Sequence, residues 1–298
     1  MTQEPSWYLQ AMADTPESGW IVVDGARIEW AAWGERGKPG LLLLIGNGAH
    51  MGWWRPLASM LARDYRVATF NWSGMGTSDW RDAYPIPTFL DEALGVATDA
   101  GLFDAEQRPF LGAHSFGGFL GLQLLIDHGD RFAGGILIDS RMRLKAKWGN
   151  QATPAPRFRV HPKKDDTIAR FRLIPQQPVE NDFFIRMLAE GAVVETEDGW
   201  RFRQDFDFRR KTQLEPDMLP LIPHARCPLA FVRGELTQSV TDEIWQAKKA
   251  VAPAGTPFVE IPHAHHHVMV DQPIALVSVM RVLLNAFQVP RVQQAGPI

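Results

Sequence analysis

The chain alternates between short apolar runs and longer amphipathic or turn-rich stretches. Gly40–Ile45 is continuously apolar, which is typical of a strand buried on both faces. Strands are predicted at Trp20–Asp24, Arg27–Trp33, Gly40–Ile45, Tyr65–Phe70, Pro109–Ala113, Gly135–Ile138, Leu229–Arg233 and Pro257–Ile261. Helices are predicted at Trp53–Arg63, Phe89–Ala100, Phe116–His128, Phe183–Ala189, Thr241–Val251 and Pro273–Phe287. Because strands alternate with helices, we expect an α/β fold with a mostly parallel central sheet and helices on both faces.

One serine stands where such a sheet places its chemistry, at the carboxyl end of a strand. Pro109–Ala113 leads directly into His114-Ser115-Phe116-Gly117-Gly118 and then into a helix. A serine on a tight strand-to-helix turn has a strained backbone and an exposed hydroxyl, and it needs small neighbours because strand and helix come close. Ala113 and Gly117 are such neighbours. The pattern therefore predicts that Ser115 is a nucleophile.

Two further segments add to this pattern. Ile45-Gly46-Asn47-Gly48-Ala49 follows one predicted strand, and the turn-rich segment Asn71–Asp79 follows the next. With the serine turn, they resemble the oxyanion loop and the glycine-rich turn of the α/β-hydrolase superfamily, and the resemblance covers nearly the whole chain. The family usually has histidine and aspartate where this chain has Ile45 and Asn71. The resemblance implies an α/β-hydrolase fold and a Ser-His-acid triad.

A histidine-rich segment, Ile261–Pro273, resembles the loop that carries the family's catalytic histidine. Alignment on Gln272-Pro273 implies that His266 is the general base, with His265 and His267 as alternatives. Four of the nine histidines lie within five residues here, so a metal site is a competing interpretation. Because adjacent histidines on an irregular loop seldom point at one ion, we expect no metal. A Ser-His-acid triad needs no organic cofactor, and we expect none.

The acid of the triad has two candidates. At the family's commonest position this chain has Thr237, which is not an acid. The family's other position, at the end of the preceding strand, is occupied by Asp139, and we favour this residue. Glu235, directly after Gly234, is the alternative because its longer side chain could also reach the histidine. The backbone amides of Phe116 and Asn47 are the expected donors of an oxyanion hole.

Residues 142–215 differ from the rest of the chain, and we call them the cap segment. From Arg141 to Lys211 there are 16 Lys/Arg and 10 Asp/Glu, and Arg-Phe-Arg occurs at 157–159, 170–172 and 201–203. We expect a mostly helical insertion over the active site, with residues 1–141 and 216–298 forming the hydrolase core. The surplus of arginine is compatible with a substrate that carries a carboxylate. The competing interpretation, which we favour, is that the arginines pair with Asp165, Asp166, Asp205 and Asp207 and with solvent. Trp53 and Trp54 either line the substrate pocket or pack the first helix.

Composition excludes several classes of protein. The single cysteine, Cys227, excludes an internal disulfide framework, and the longest aliphatic run, Leu41–Ile45, is too short to span a membrane. A net charge of −3 gives no reason to expect nucleic-acid or membrane binding, and the N-terminus has no signal-peptide pattern, so we expect a cytoplasmic protein with a small-molecule substrate. The sequence does not indicate an oligomeric state.

These observations predict a serine hydrolase that cleaves a carboxylic ester or lactone. A carbon–carbon bond hydrolase acting on a diketone acid would use the same triad, and a hydrolase-like binding protein that has lost turnover is a third possibility. Hydroxynitrile lyase and cofactor-free oxygenase chemistry also stay open, because fold and triad do not fix the reaction.

Overall fold

The computed structural model of the protein describes residues 4–143, 159–214 and 217–288. Its strands are β1 (Glu17–Val23), β2 (Ala26–Trp33), β3 (Gly40–Leu44), β4 (Arg66–Phe70), β5 (Phe110–His114), β6 (Gly134–Ile138), β7 (Val193–Thr196), β8 (Gly199–Phe202), β9 (Leu229–Gly234) and β10 (Phe258–Ile261). Its helices are α1 (Ser6–Ala13), α2 (Arg55–Leu61), α3 (Ile86–Asp99), α4 (Phe116–His128), α5 (Lys164–Ile168), α6 (Asp182–Gly191), α7 (Phe208–Lys211), α8 (Asp242–Val251), α9 (Val268–Asp271) and α10 (Pro273–Gln288). Short 3₁₀ turns lie at Met51–Trp53, Gly129–Arg131 and Leu219–His224.

Eight strands form one sheet in the order β1-β2-β4-β3-β5-β6-β9-β10. The first two strands form a hairpin around Asp24 and Gly25, whose positive φ values of 44° and 78° suit a two-residue turn. Pairing is antiparallel from β1 to β2 and from β2 to β4, and parallel across the rest of the sheet. The carboxyl ends of β5, β6, β9 and β10 therefore meet at one edge of the sheet.

The middle of the sheet is covered on both faces. Every residue of β3, β4, β5 and β6 is buried, although successive side chains on a strand point to opposite faces. Such strands must consist almost entirely of apolar residues, as the continuous apolar runs of the sequence indicated. The core is thus centred on the strands that carry the serine turn and its neighbours.

The helices agree with the sequence pattern except at a few ends. Helix α3 begins at Ile86, three residues before its predicted start, with Pro87 in its first turn, where a missing N–H costs no helical bond. The pattern did not predict α5, α7 and α9, which have four or five residues each, nor α1, an eight-residue helix that buries Tyr8 and Ala11. None of the helices in the described ranges has the length and apolarity needed to cross a bilayer.

The structure describes residues 142–143 and 159–214 of the cap segment, and residues 144–158 and 215 lie outside the described ranges. The helix expected at Phe183–Ala189 is present as α6. The segment also contains the antiparallel hairpin β7–β8, so its described part is mixed rather than mostly helical. The reason is local, because the hairpin strands are rich in valine and aromatic residues and Gly199 opens β8 at a φ of 126°. The bounds of the cap as a separate unit stay a prediction.

Candidate active site

Ser115 occupies a sharp turn between β5 and α4. Its φ of 53° and ψ of −117° are unusual for a residue with a side chain. A Cβ on Gly117 would lie 2.6 Å from the carbonyl oxygen of Ile45, and one on Gly118 would collide with Ser140. The Ser140 hydroxyl donates to the carbonyl oxygen of Ser115 at 2.7 Å. The turn therefore depends on glycines after the serine, which is the requirement that the sequence motif suggested.

The structure brings Ser115, His266 and Asp139 together in one chain of hydrogen bonds. Nε2 of His266 lies 3.0 Å from Oγ of Ser115, and Nδ1 of His266 lies 2.8 Å from Oδ1 of Asp139. Asp139 is fully buried and His266 nearly so. A nucleophile, a base and an orienting acid in this order can perform nucleophilic acyl transfer.

Asp139 is held by groups from the neighbouring strand β9. The backbone N–H of Gly234 donates to its Oδ2 at 2.9 Å, and the hydroxyl of Thr237 donates to its Oδ1 at 2.8 Å. Thr237 stands where the superfamily most often has its acid, and here it supports an acid on the adjacent strand. Both donors fix the orientation of the Asp139 carboxylate, whose Oδ1 also bonds to His266.

A buried lysine lies beneath the acid. Lys248 of α8 is 1% exposed, and its ammonium group donates to the carbonyl oxygen of Ser140, the residue after Asp139. Burial lowers the pKa of Lys248 to about 7, although attraction by Asp139 acts in the opposite direction. This lysine connects α8 to the loop that holds both Asp139 and Ser140.

Glu235, the alternative acid, does not contact His266. It is exposed, and its carboxylate accepts a hydrogen bond of 2.9 Å from the backbone N–H of His263, a residue with a positive φ of 56°. The reason is geometric: Glu235 is already beyond the end of β9 and points to the turn after β10. The structure corrects this alternative and leaves Asp139 as the acid that bonds to His266.

The other histidines have separate surroundings. His265 bonds through Nδ1 to the carboxylate of Asp271 at 3.1 Å, whereas the hydroxyl of Ser115 bonds to His266. His267 is buried, and its ring packs 5.0 Å from that of Trp53, so burial holds its pKa well below the usual value. Neither of these alternatives is the residue that bonds to Ser115. His114 donates from Nε2 to the backbone carbonyl of His266 at 2.9 Å, and burial lowers its pKa to about 3.

Three of these rings form the one cluster of potential metal ligands within the described ranges. Ring nitrogens of His114, His266 and His267 lie within 4.8 Å of one another. Both ring nitrogens of His266 already bond to Ser115 and Asp139, and Nε2 of His114 bonds to a carbonyl. A metal ion here would have to replace the contacts of the triad, so this cluster suits proton transfer better than metal binding.

The two candidate oxyanion donors and one of the two candidate tryptophans line the cavity, and the other tryptophan does not. Asn47, in the loop after β3, and Phe116, the first residue of α4, line the same cavity as Ser115, and so does Trp53. Trp54 does not line the cavity. It is fully buried, and its indole N–H donates to the carbonyl oxygen of Leu44 at 3.2 Å. The expectation that Trp54 contacts substrate is thereby corrected, because α2 turns this residue into the core.

The cavity above Ser115 has a volume of about 700 Å³, within the range of small-molecule sites. One side is formed by the core residues described above. The other side is formed by the cap segment, including Phe171, Pro175, Phe202 and Gln204. Described residues of the cap segment thus border the cavity above Ser115, and the cap as a separate unit stays a prediction.

Several residues of this site were not identified from the sequence. His114 stands next to Ser115, and this adjacency was the available signal. His50 lines the cavity and donates to the carbonyl oxygen of Leu188 in α6, and burial lowers its pKa to about 4. Lys248 carries no local signal. Arg203 belongs to an Arg-Phe-Arg triplet of the cap segment, for which the sequence left carboxylate binding and pairing with aspartates open.

Comparison with known proteins identifies the family. The family model described as "Alpha/beta hydrolase family" matches residues 41–279, and the chain belongs to this family of hydrolases. The α/β-hydrolase fold expected from the sequence is therefore confirmed.

Relatives show how far the similarity extends. The chain is 29% identical over 123 residues to "Putative carbamate hydrolase RutD" of Caulobacter vibrioides (strain NA1000 / CB15N); this match spans 41% of the chain and 44% of that relative, less than half of its length. Among solved structures, "Thioesterase Domain From Curacin Biosynthetic Pathway" has a TM-score of 0.76 at 20% identity, covering 90% of this chain and all of that one. "E-2-(Acetamidomethylene)succinate Hydrolase" has a TM-score of 0.72 at 17% identity, covering 91% and 99%. At these identities the solved structures show a shared fold.

Proposed function

We propose that the protein is a serine hydrolase that cleaves a carboxylic ester or lactone through an acyl-enzyme. The observation that carries this proposal is the continuous hydrogen-bond chain from Ser115 through His266 to Asp139. Its position at the carboxyl edge of the sheet, under a cavity of small-molecule size, supports the same function.

In the first half-reaction, Oγ of Ser115 attacks the carbonyl carbon while Nε2 of His266 takes the hydroxyl proton. The carbonyl oxygen becomes an oxyanion, for which the amides of Asn47 and Phe116 are the proposed donors. His266 then gives the proton to the departing alcohol oxygen, and the acyl group stays on Ser115. Throughout, Asp139 fixes the His266 tautomer and stabilises the imidazolium without taking its proton.

In the second half-reaction, His266 removes a proton from water, and the resulting hydroxide attacks the acyl-enzyme carbon. The proton returns to Oγ as the Ser115 ester bond breaks, so one ester and one water become one acid and one alcohol. With a lactone, the acid and alcohol are parts of one product molecule. The neighbouring histidines stay out of this exchange, since burial lowers the pKa of His50 and His114 to about 4 and about 3.

Labelling and turnover test this function together. A fluorophosphonate should attach to Ser115, as located by mass spectrometry, and a p-nitrophenyl ester should be hydrolysed. The variant Ser115→Ala should lose both properties and keep the wild-type circular dichroism spectrum, with kcat lower by about 10⁶-fold by comparison with a serine protease. A label on another residue, or an active alanine variant, would contradict the assignment. Labelling of Ser115 without hydrolysis of any ester, together with cleavage of a diketone acid, would favour the carbon–carbon hydrolase.

A further inference from the structure

The cavity over Ser115 is lined by five arginines and one carboxylate. The arginines come from the end of β6 and from the cap segment, and they are Arg141, Arg170, Arg172, Arg203 and Arg209. The carboxylate is Asp139, which already accepts bonds from His266, Thr237 and Gly234. Among the described lining residues, Asp139 is the one carboxylate.

The remaining titratable groups of the lining are four histidines. Burial holds the pKa values of His50, His114 and His267 below their usual range, so these three rings are neutral near pH 7. They neither add to the positive charge nor cancel it. The field inside the cavity is therefore set by the arginines, and it favours an anion.

Arg203 lines the cavity and is held in place by two hydrogen bonds to backbone carbonyl oxygens. Its backbone N–H donates to the carbonyl oxygen of Ala192 at 2.9 Å, and its Nε donates to the carbonyl oxygen of Val193, also at 2.9 Å. The next residue, Gln204, packs against Gly48 of the oxyanion loop. A Cβ atom added to Gly48 would lie only 2.9 Å from the side-chain amide oxygen of Gln204. Arg203 is thus held beside the loop that contains Asn47.

The guanidinium of Arg203 is not neutralised by an acid of the described chain. No carboxylate in the described ranges lies within 4.0 Å of it, and burial lowers its pKa despite attraction by Glu29. The sequence-based alternative, pairing with the cap aspartates, does not apply to this residue. Asp205 bonds to Tyr84 and Lys211, and Asp207 bonds to Arg210.

Arg141 adds a second guanidinium from the core side. It follows Asp139 by two residues, lines the same cavity, and has a buried Nε without a hydrogen-bond partner among the described residues. A buried, unpartnered charge-bearing donor costs free energy unless a ligand satisfies it. Arg141 and Arg203 therefore offer an anion donors from the core and from the cap.

We propose that the substrate of this hydrolase carries a carboxylate, and that Arg203, assisted by Arg141, binds it in the cavity over Ser115. This inference rests on the proposed function, since it names the substrate class of the same site. Arginine presents paired N–H donors whose spacing matches a carboxylate, so it selects for that group by geometry as well as by charge. The reaction is unchanged: the ester bond breaks at Ser115, and the recognised carboxylate takes no part in the chemistry.

Matched ester pairs test the proposal. In the first pair, p-nitrophenyl hydrogen adipate carries the carboxylate on the acyl side, and its neutral counterpart is p-nitrophenyl adipamate. In the second pair, 4-carboxyphenyl butyrate carries it on the alcohol side, and 4-carbamoylphenyl butyrate is neutral. We expect the anionic member of at least one pair to have the higher kcat/KM by about tenfold or more.

Arginine variants identify the residue responsible. Arg203→Gln should lower the anionic-to-neutral ratio of kcat/KM by about tenfold to a hundredfold, mainly through KM, and Arg203→Lys should keep part of the preference. Arg210→Gln is the matched control: it removes the same charge from the same segment, but Arg210 pairs with Asp207 and does not line the cavity. Its ratio should stay at the wild-type value. Equal or better turnover of the neutral ester in both pairs would overturn the proposal.

A binding measurement separates this proposal from the proposed function. Titration calorimetry of the full-length Ser115→Ala variant with adipate and with adipamide needs no turnover. Tighter binding of adipate by about tenfold or more, reduced by an added Arg203→Gln change, would support the anion site even if no test ester is cleaved. Failure to bind adipate more tightly than adipamide would refute the anion site and leave the Ser115 labelling result unaffected.

Discussion

Ser115, His266 and Asp139 border the same cavity as the five lining arginines, but different kinds of structure hold the two groups in place. Ser115, Asp139 and His266 follow the ends of β5, β6 and β10, and each is tied to groups on a neighbouring strand or loop. The cap segment consists of short helices and one hairpin, and its contribution is the charged and aromatic side chains of the lining. Ser115, Asp139 and His266 depend on strand ends of the sheet for their positions, whereas four of the five lining arginines come from the cap segment. Side chains of the cap segment can therefore be exchanged without changing the sheet.

The largest expected change in kcat distinguishes the two candidate acids, Asp139 and Glu235. Asp139→Asn should lower kcat by about 10⁴-fold, because it leaves His266 in the wrong tautomer or poorly oriented. Glu235→Gln should change kcat less than about tenfold, since Glu235 only bonds to the backbone of His263. Steady-state kinetics with one ester measures both variants. The reverse order of damage would mean that the wrong strand end has been assigned to catalysis.

The contact between core and cap should respond to acid. His50 of the core donates to Leu188 of α6, and its pKa is lowered to about 4 in the folded protein against about 6.5 in the unfolded chain. The unfolded state therefore binds more protons between these two pKa values. The contribution of His50 to the free energy of unfolding is fully present above pH 6.5 and is lost as the pH falls toward 4. The loss from this residue is about 3 kcal/mol.

Denaturant unfolding at a series of pH values measures this slope. His114, with a folded pKa of about 3, acts in the same direction, so His50→Gln should flatten the slope in part without abolishing it. An unchanged slope in His50→Gln would show that this contact does not report on protonation.

The adjacent residues Trp53 and Trp54 have different surroundings, because Trp53 borders the cavity and Trp54 is buried in the core. Trp54→Phe removes the donor to Leu44 and leaves a small void, so it should lower the free energy of unfolding by about 2 kcal/mol and leave KM near its wild-type value. Trp53→Phe should alter KM with a smaller loss of stability, because Trp53 borders the cavity and its buried indole N–H has no partner among the described residues. Comparing unfolding midpoints with KM for both variants checks this division. A KM change confined to Trp54→Phe would refute it.

The smallest expected change in kcat concerns Thr237, whose hydroxyl donates a hydrogen bond to the carboxylate of Asp139. Thr237→Val removes one hydrogen bond to Asp139 at nearly constant volume and should lower kcat about tenfold. Thr237→Ser keeps the hydroxyl and should restore most of the activity. If both variants behave alike, the hydroxyl of Thr237 does not position Asp139.

The sequence predicted those parts of the site that depend on neighbouring residues. A strand, a serine between small residues and a helix define the Ser115 turn, because the close approach at Gly117 excludes any side chain there. His266 was implied by the family resemblance, through alignment on Gln272-Pro273 at the start of the last helix. The strands of the sheet centre were predicted within about one residue, since strands buried on both faces must be continuously apolar.

Other parts of the site depend on which strand ends and helices come together in space. The choice between Asp139 and Glu235 required the position of β6 beside β9 and the direction in which each side chain leaves its strand. The short helix α1 was missed because its contacts are made with α2 and with Phe183 of α6, far along the chain. A local pattern of residues does not contain such contacts.

From the sequence alone, periodicity predicted the α/β fold class, the strand-serine-helix pattern predicted Ser115 as the nucleophile, and the family resemblance implied His266 as the base. Only the folded chain shows that Asp139 bonds to His266, that Trp53 and Trp54 have different surroundings, and that Arg203 lies beside the loop of Asn47. The physical reason is that burial, pairing and the partner of a charge are properties of groups brought together by folding. An arginine next to other arginines in the chain acquires its role only from what faces it across the cavity.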